Sequence, residues 1–202
     1  MNAGQFLTIF ISAVFINNVI LSRFLGLCSF IAISKETRPA FAMSLAVMFV
    51  TTMSSIITWL IYRFLLIPFN MTYLRTISFI LVIATFVQLV EMVIRKFAPA
   101  LYRFFGIYLP LITVNCAVLG VAVLNSDMFF TDGKSVAGGF LFSTFQGICV
   151  GLGYMLAMLL MSAIRERLDL CNVPKALKDF PLGFIIASIM SLAFMGFNGF
   201  KF

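Results

Sequence analysis

Histidine is absent from this 202-residue chain, and charge is scarce: Asp, Glu, Lys and Arg together make up 10%. Without histidine there is no His-ligated haem, no His-containing zinc site and no imidazole acid–base catalyst. The four cysteines, Cys28, Cys116, Cys149 and Cys171, form no CxxC pair, so neither a zinc ribbon nor a thioredoxin-like motif can be read. No Gly-rich nucleotide fingerprint occurs. The net charge of +7 is carried by 14 Lys and Arg that stand singly or in pairs between apolar runs. No basic stripe is interleaved with aromatics, so nucleic acid is not a partner. The start, Met1-Asn2-Ala3-Gly4-Gln5, lacks a basic segment, and the first apolar run is expected to be retained rather than cleaved.

What is present is apolar: 62% of the residues are hydrophobic, 25 of them phenylalanine. A soluble fold of this size cannot hide that much apolar surface, so a lipid bilayer must be its solvent. Uncharged runs set the organisation. Gly4 to Ser22 comes first, then Arg23 and a short run, Phe24 to Ser34. Pro39 to Tyr62, Tyr73 to Ile94, Phe104 to Ser126, Ser135 to Ile164 and Phe180 to Phe200 follow. A spanning helix needs about 20 mostly apolar residues. Phe24 to Ser34 is too short to cross alone, so it extends the first element past a break or enters as a half-helix. The expected fold is therefore an all-α integral membrane protein with six transmembrane elements.

Six crossings place the loops alternately on two sides. Loops one, three and five hold Lys35, Arg38, Arg95, Lys96, Arg103, Arg165, Arg167, Lys175 and Lys178, against Arg63, Arg75, Lys134 and Lys201 on the other side. The positive-inside bias puts the first group in the cytoplasm and both termini on the outer side.

The chain divides into two parts of three elements each, residues 1–98 and 99–202. Three is odd, so the second part enters from the opposite face, giving two inverted three-helix repeats. The opening element of each carries glycine and one cysteine within an apolar run, at Gly26 and Cys28 and at Gly106, Pro110 and Cys116. Interrupted segments at matching places in two halves point to a functional centre. Gly26 and Pro110 as plain kinks in packed helices is the other reading. By the same pattern Cys28 and Cys116 are either a pair of metal ligands or two small packing residues. Cys149, among Gly147, Gly151 and Gly153, reads as a packing residue. Cys171 reads as a thiol in the fifth loop.

At these positions the chain resembles the A-type membrane subunit of the Rnf electron-transport complex. The resemblance rests on Phe24-Leu25-Gly26-Leu27-Cys28 and on the run from Leu109 through Asn115-Cys116 to Gly120. Gln88-Leu89-Val90-Glu91-Met92, Ala100-Leu101-Tyr102-Arg103, Arg165-Glu166-Arg167-Leu168 and Leu192 to Phe197 add to it. The same stretches are similar to the E-type membrane subunit of the sodium-pumping NADH:quinone reductase. Ser29 departs from the pattern, since many relatives have proline there.

The resemblance implies a membrane electron-transfer subunit of an ion-translocating ferredoxin:NAD oxidoreductase in a bacterial cytoplasmic (inner) membrane. Cys28 and Cys116 would bind the iron of a 2Fe–2S cluster, whose other two cysteines come from a homologous partner of opposite orientation, the E-type Rnf subunit. Flavins and NAD would sit on other Rnf subunits, transport would move Na⁺ or H⁺, and no complete active site would lie in this chain alone. The competing readings are a subunit of the sodium-translocating NADH:quinone reductase, a stand-alone inverted-repeat ion or solute transporter, and a scaffold that only anchors other subunits. Glu91 lies within an apolar run beside Arg95 and Lys96, so an interfacial ion pair competes with an ion-path role. Arg23 either offsets cluster charge or bonds backbone at the break. Asn17, Asn18 and Asn115 are suited to capping backbone exposed where helices break or to bonding across to a partner helix. Reporter fusions at the two ends should both read outside; a cytoplasmic C-terminus contradicts six crossings.

Overall fold

The computed structural model describes residues 3–69, 72–97, 115–130, 136–171 and 180–199. All regular structure among them is helical. In chain order the helices are α1 (Ala3–Ile11), α2 (Leu27–Ile33), α3 (Thr37–Ile61), α4 (Arg75–Phe97), α5 (Cys116–Asn125), α6 (Val136–Asp169) and α7 (Phe180–Met195). Single π-helical turns extend three of them: Ser12–Ile16 after α1, Tyr62–Leu66 after α3 and Ser126–Phe130 after α5. A short 3₁₀ turn, Gly196–Gly199, follows α7.

Among the described residues, three apolar stretches are long enough to cross a bilayer: Thr37–Leu66, Arg75–Met92 and Gly138–Asp169. Three shorter apolar helical stretches accompany them, Phe6–Ile16, Cys116–Met128 and Pro181–Met195. The protein is thus an all-α, multi-pass membrane protein. Its outward faces carry large apolar side chains, such as Ile77, Leu81 and Met92 on α4 and Phe184, Ile189 and Leu192 on α7. In lipid this exposure costs nothing, because hydrocarbon replaces the apolar partner that a soluble fold would need.

The first apolar element is interrupted, and earlier than Arg23. Helical structure ends at Ile16, and the chain turns from Asn17 to Gly26 before α2 begins. Pro39 does not mark the start of α3, which begins at Thr37. Proline is harmless in a first turn, where the amide it lacks would have no helical acceptor. Arg165 belongs to α6 and is buried, so it is not one of the loop charges it was counted among. The junction between the two sequence parts, residues 98–114 with Gly106 and Pro110, lies outside the described residues, as do Lys134, Lys175, Lys178 and Lys201. So does the side chain of Arg95, and with it the expected pairing of Glu91.

The chain forms two compact units, Met1–Leu45 with Cys149–Phe202, and Ala46–Ile148. In the first, Gly153 of α6 lies against the π-helical turn that extends α1: a methyl group on it would meet the Ala13 carbonyl at 3.1 Å and Val14 Cα at 3.3 Å. In the second, α6 meets α3 at Gly147, where a methyl group would fall 2.8 Å from Ser55 Oγ. Trp59 and Phe140 stack edge to face nearby, with ring centroids 5.1 Å apart. Small residues at helix contacts let backbones approach where no water drives association. Gly153→Val should therefore cost about 1–3 kcal/mol through overpacking. Gly196→Ala, with open space around it, should change little. Unfolding of the purified protein in a denaturing-detergent titration reads both.

Candidate functional site

The interrupted element of the first unit solves a definite problem. A chain that leaves helical geometry within an apolar element releases carbonyl and amide groups, and each must find a protein partner. Asn18, fully buried, does most of this. Its side-chain amide donates to the Gly153 carbonyl of α6 at 2.9 Å and to the Val14 carbonyl at 3.2 Å. Its Oδ1 accepts from the Ile20 amide at 3.1 Å. The Ser191 hydroxyl of α7 donates to the Leu21 carbonyl at 2.8 Å. Within the turn, the Ser22, Phe24 and Leu25 amides donate to the carbonyls of Asn18, Ile20 and Val19.

The exit from this turn needs two left-handed residues, Phe24 at φ 56° and Gly26 at φ 86°. Glycine adopts that conformation freely, whereas a bulky residue such as Phe24 is held there at a cost. Gly26 then immediately precedes α2. Cys28 is the second residue of that helix and is exposed, together with Ser22, Arg23 and Phe24. On the other side of α2, Ser29, Phe30, Ile31 and Ile33 are buried. Ser29 donates to the Gly26 carbonyl at 2.9 Å and lies 3.0 Å from the buried Tyr154 hydroxyl of α6. Proline at this position would supply neither bond. At the far end of α2, Arg165 donates to the Ile31 carbonyl at 2.7 Å and to the Ser34 hydroxyl at 2.8 Å.

The second unit presents Cys116 in a similar local setting. Asn115 is extended, with φ −72° and ψ 109°, and caps α5 by accepting the Ala117 amide on Oδ1 at 3.1 Å. Its Nδ2 is buried and has no partner among the described residues. Cys116 is the first helical residue and is exposed. Ala117, Val118, Val121, Ala122 and Asn125 are buried along the opposite stripe. Asn125 fixes the far end of α5, donating to Ser55 Oγ of α3 at 3.1 Å and to Ser143 Oγ of α6 at 3.3 Å. Beyond it, Arg75 at the start of α4 pairs with Asp127 at 2.6 Å.

Each of these two cysteines therefore stands in the first turn of a short apolar helix, on its exposed side, and the far end of each helix is held by a polar side chain. The other two differ. Cys149 is 1% exposed inside α6, as its packing role requires. Cys171 follows the end of α6, is exposed, and its thiol contacts the Arg167 carbonyl. None of the four is in a disulfide. Among the described residues no three of His, Cys, Asp and Glu gather in a group that would hold a metal ion. Arg23 is exposed within the turn.

Asn18 and Asn115 carry the backbone-capping role expected of them. Tyr154 and Asn125 were not singled out from sequence, and Arg165 was read only as a loop charge and as part of a family run. One signal was there: Tyr154, Met158, Met161 and Arg165 recur at helical spacing, and all four are buried. That stripe faces the core, so a charge on it calls for a buried partner.

Proteins of known family carry a similar sequence. A family model described as an Rnf-Nqr subunit, membrane protein, matches residues 6–201. The chain is 50% identical to the A-type subunit of the proton-translocating ferredoxin:NAD(+) oxidoreductase complex of Clostridium ljungdahlii, over 97% of each chain. It is 48% identical to the A-type subunit of the Na(+)-translocating ferredoxin:NAD(+) oxidoreductase complex of Acetobacterium woodii, over 96% of each. With the A-type subunit of the ion-translocating oxidoreductase complex of an Azoarcus species it shares 50% identity over 97% of each. Replacing Asn18 by Ala should destabilise the protein by about 1–3 kcal/mol, because buried carbonyls lose their donor. Asn17→Ala, at an exposed neighbour, should shift stability by less than about 0.5 kcal/mol; thermal unfolding in detergent compares the two.

Proposed function

Since the chain belongs to the Rnf-Nqr family of membrane subunits, we propose that it is the electron-transfer membrane subunit of an ion-translocating ferredoxin:NAD oxidoreductase. In this reading Cys28 and Cys116 are two of four ligands to a 2Fe–2S cluster. The other two come from a homologous subunit of opposite orientation, the E-type Rnf subunit. One observation carries the assignment. The two family-matched cysteines share one local setting, the exposed side of a first helical turn just after a backbone interruption or cap, while Cys149 is buried in a packed helix.

The donor set suits the group. Thiolate sulfur is the usual ligand of iron–sulfur clusters, and four are needed. This chain has two matched cysteines, no histidine and, among the described residues, no cluster of acids to complete a shell. When bound, such a cluster takes up and gives back one electron at a time. The chain's own residues do the rest. Asn18, Ser29, Tyr154 and Arg165 hold the Cys28 helix, Asn115 and Asn125 hold the Cys116 helix, and the surrounding apolar side chains keep water away.

The same reading takes the six apolar helical stretches as six membrane elements in two inverted repeats, with both termini on the outer face of a bacterial cytoplasmic membrane. Phe6–Ile16 and Cys116–Met128 span only about 16 and 20 Å at 1.5 Å per residue, less than the hydrocarbon thickness. That supports a broken first element in each repeat. Flavins and NAD belong to other subunits. The coupling ion is Na⁺ or H⁺: two relatives of nearly equal identity carry different ions in their names, so similarity alone does not choose.

The test is iron and acid-labile sulfide in the purified complex. Cys28→Ala and Cys116→Ala should each lose the cluster and its EPR signal after reduction. Cys149→Ala and Cys171→Ala should keep both. Full iron and an unchanged spectrum in Cys28→Ala would sink the assignment.

A further inference from the structure

We propose that the buried oxygens around Asn125 form a site for a desolvated monovalent cation of the Na⁺ type, at the far end of the Cys116 helix. This rests on the reading of the chain as part of an ion-translocating complex, and gives the ion a place in it.

Asn125 is the last residue of α5, and from Ser126 to Phe130 the backbone is π-helical. Single π turns are frequent at functional sites. The Asn125 side chain is fully buried against α3 and α6. Its Nδ2 is well occupied, donating to Ser55 Oγ at 3.1 Å, to Ser143 Oγ at 3.3 Å and to the Ser143 carbonyl at 3.4 Å. Its Oδ1 is buried too and accepts from nothing among the described residues. Ser54 Oγ is a second buried oxygen without a partner among them. Thr51, Ser54, Ser55 and Thr58 recur at helical spacing and are all buried, so α3 turns a polar stripe inward here. Ser55 and Ser143 each lie within a stretch long enough to cross a bilayer.

Bonding between helices does not account for Oδ1. The Nδ2 side alone ties α5 to α3 and α6, while an unpaired amide oxygen in the interior costs about 1–3 kcal/mol. What the place holds in surplus is acceptors. Ser55 Oγ gives its hydrogen to the Thr51 carbonyl at 2.8 Å, and Ser143 Oγ directs its own to the Ser55 carbonyl at 3.5 Å. Oδ1 has no hydrogen to give. It shares a carbon with Nδ2, so both hydroxyl oxygens lie within a few ångströms of it. Lone pairs without donors suit a cation. None of these groups is charged or titrates near neutral pH, so the bound species is not a proton, and a divalent ion would call for carboxylates. Asp127, next along the chain, is half exposed and paired with Arg75 at 2.6 Å. The C-terminal ends of short membrane helices carry partial negative charge and are recurrent Na⁺ ligands. Cys116 and Asn125 open and close a ten-residue helix, which separates them by about 14 Å. One buried water would also satisfy Oδ1, and the experiment separates the two occupants.

That experiment is equilibrium binding of radiolabelled Na⁺ to the purified complex, with iron content and thermal unfolding measured on the same samples. Asn125→Ala should bind one Na⁺ fewer per complex and keep its iron. Ser55→Ala and Ser143→Ala should each weaken that binding about tenfold, the loss of one contact to a charged group. Replacing choline chloride by sodium chloride should raise the unfolding temperature of the parent more than that of Asn125→Ala. An Asn125→Ala complex that binds as much Na⁺ as the parent, with the same affinity, overturns the proposal and leaves water as the occupant. If Asn125→Ala does not assemble, Na⁺ binding unchanged in both Ser55→Ala and Ser143→Ala overturns it. Cys28→Ala is measured in parallel. If it keeps its iron, the electron-transfer reading fails; if it loses iron while the Asn125, Ser55 and Ser143 variants bind Na⁺ as the parent does, only the present inference fails.

Discussion

A helix that stops inside hydrocarbon leaves carbonyl and amide groups with no water to receive them, and the first unit is arranged around that constraint. Between Ile16 and Leu27 the chain gives up helical geometry. The carbonyls of Val14, Leu21 and Ile31 are taken by Asn18, Ser191 and Arg165, side chains from the turn itself, from α7 and from α6. Asn18 in turn reaches the Gly153 carbonyl. An unsatisfied polar group in lipid costs several kcal/mol, so each of these contacts fixes geometry firmly. Double-mutant measurements of such bonds in membrane proteins average below 1 kcal/mol, because the separated helices find other partners. Their main effect is then to choose one arrangement of the interrupted element over its alternatives.

The second unit meets a milder form of the same constraint. There Asn115 caps α5 at its start, and Asn125 joins Ser55 and Ser143 at its end. Asn125 and its hydroxyl partners are fully buried. Gly147 allows the approach, since any side chain there would strike Ser55. Both cysteine-bearing helices are thus fixed by polar contacts on one side and leave the cysteine on the other. If the cysteines ligate an electron carrier, as proposed above, rigid support of this kind would hold their geometry while the charge on the carrier changes.

Much of this was legible in the chain. Bilayer thickness and the scarcity of charge locate apolar helices, because a run of the required length and composition has few alternatives. The interruption was legible from Arg23 and Gly26, although the structure breaks six residues earlier, at Asn17. Asparagines at a break declare themselves, since little else both donates and accepts at short range. What sequence did not disclose are pairings between distant residues. Arg165 and Ile31 are separated by 134 positions, and Asn125 and Ser55 by 70. Nothing local marks such partners. Arg165 was misplaced because a charge after a long apolar run resembles the start of a loop; only its spacing from Tyr154 and Met158 betrays a buried face.

The exposed residues complete the physical picture. Ser22, Arg23, Phe24 and Cys28 lie uncovered around the interrupted turn, and Phe24 is held in a left-handed conformation while 53% exposed. Hydrocarbon accepts the phenyl ring, but it offers nothing to a guanidinium or a hydroxyl. Interrupted backbone at membrane depth is stable only where protein or a water-filled cavity surrounds it. Lipid tails alone therefore do not satisfy the polar groups of this turn. A homologous subunit of opposite orientation would bring a similar interrupted turn, with its own polar groups and its own cysteines. In the reading proposed above, shared ligation would satisfy both surfaces at once, and the interrupted turn would then be the feature that selects the partner.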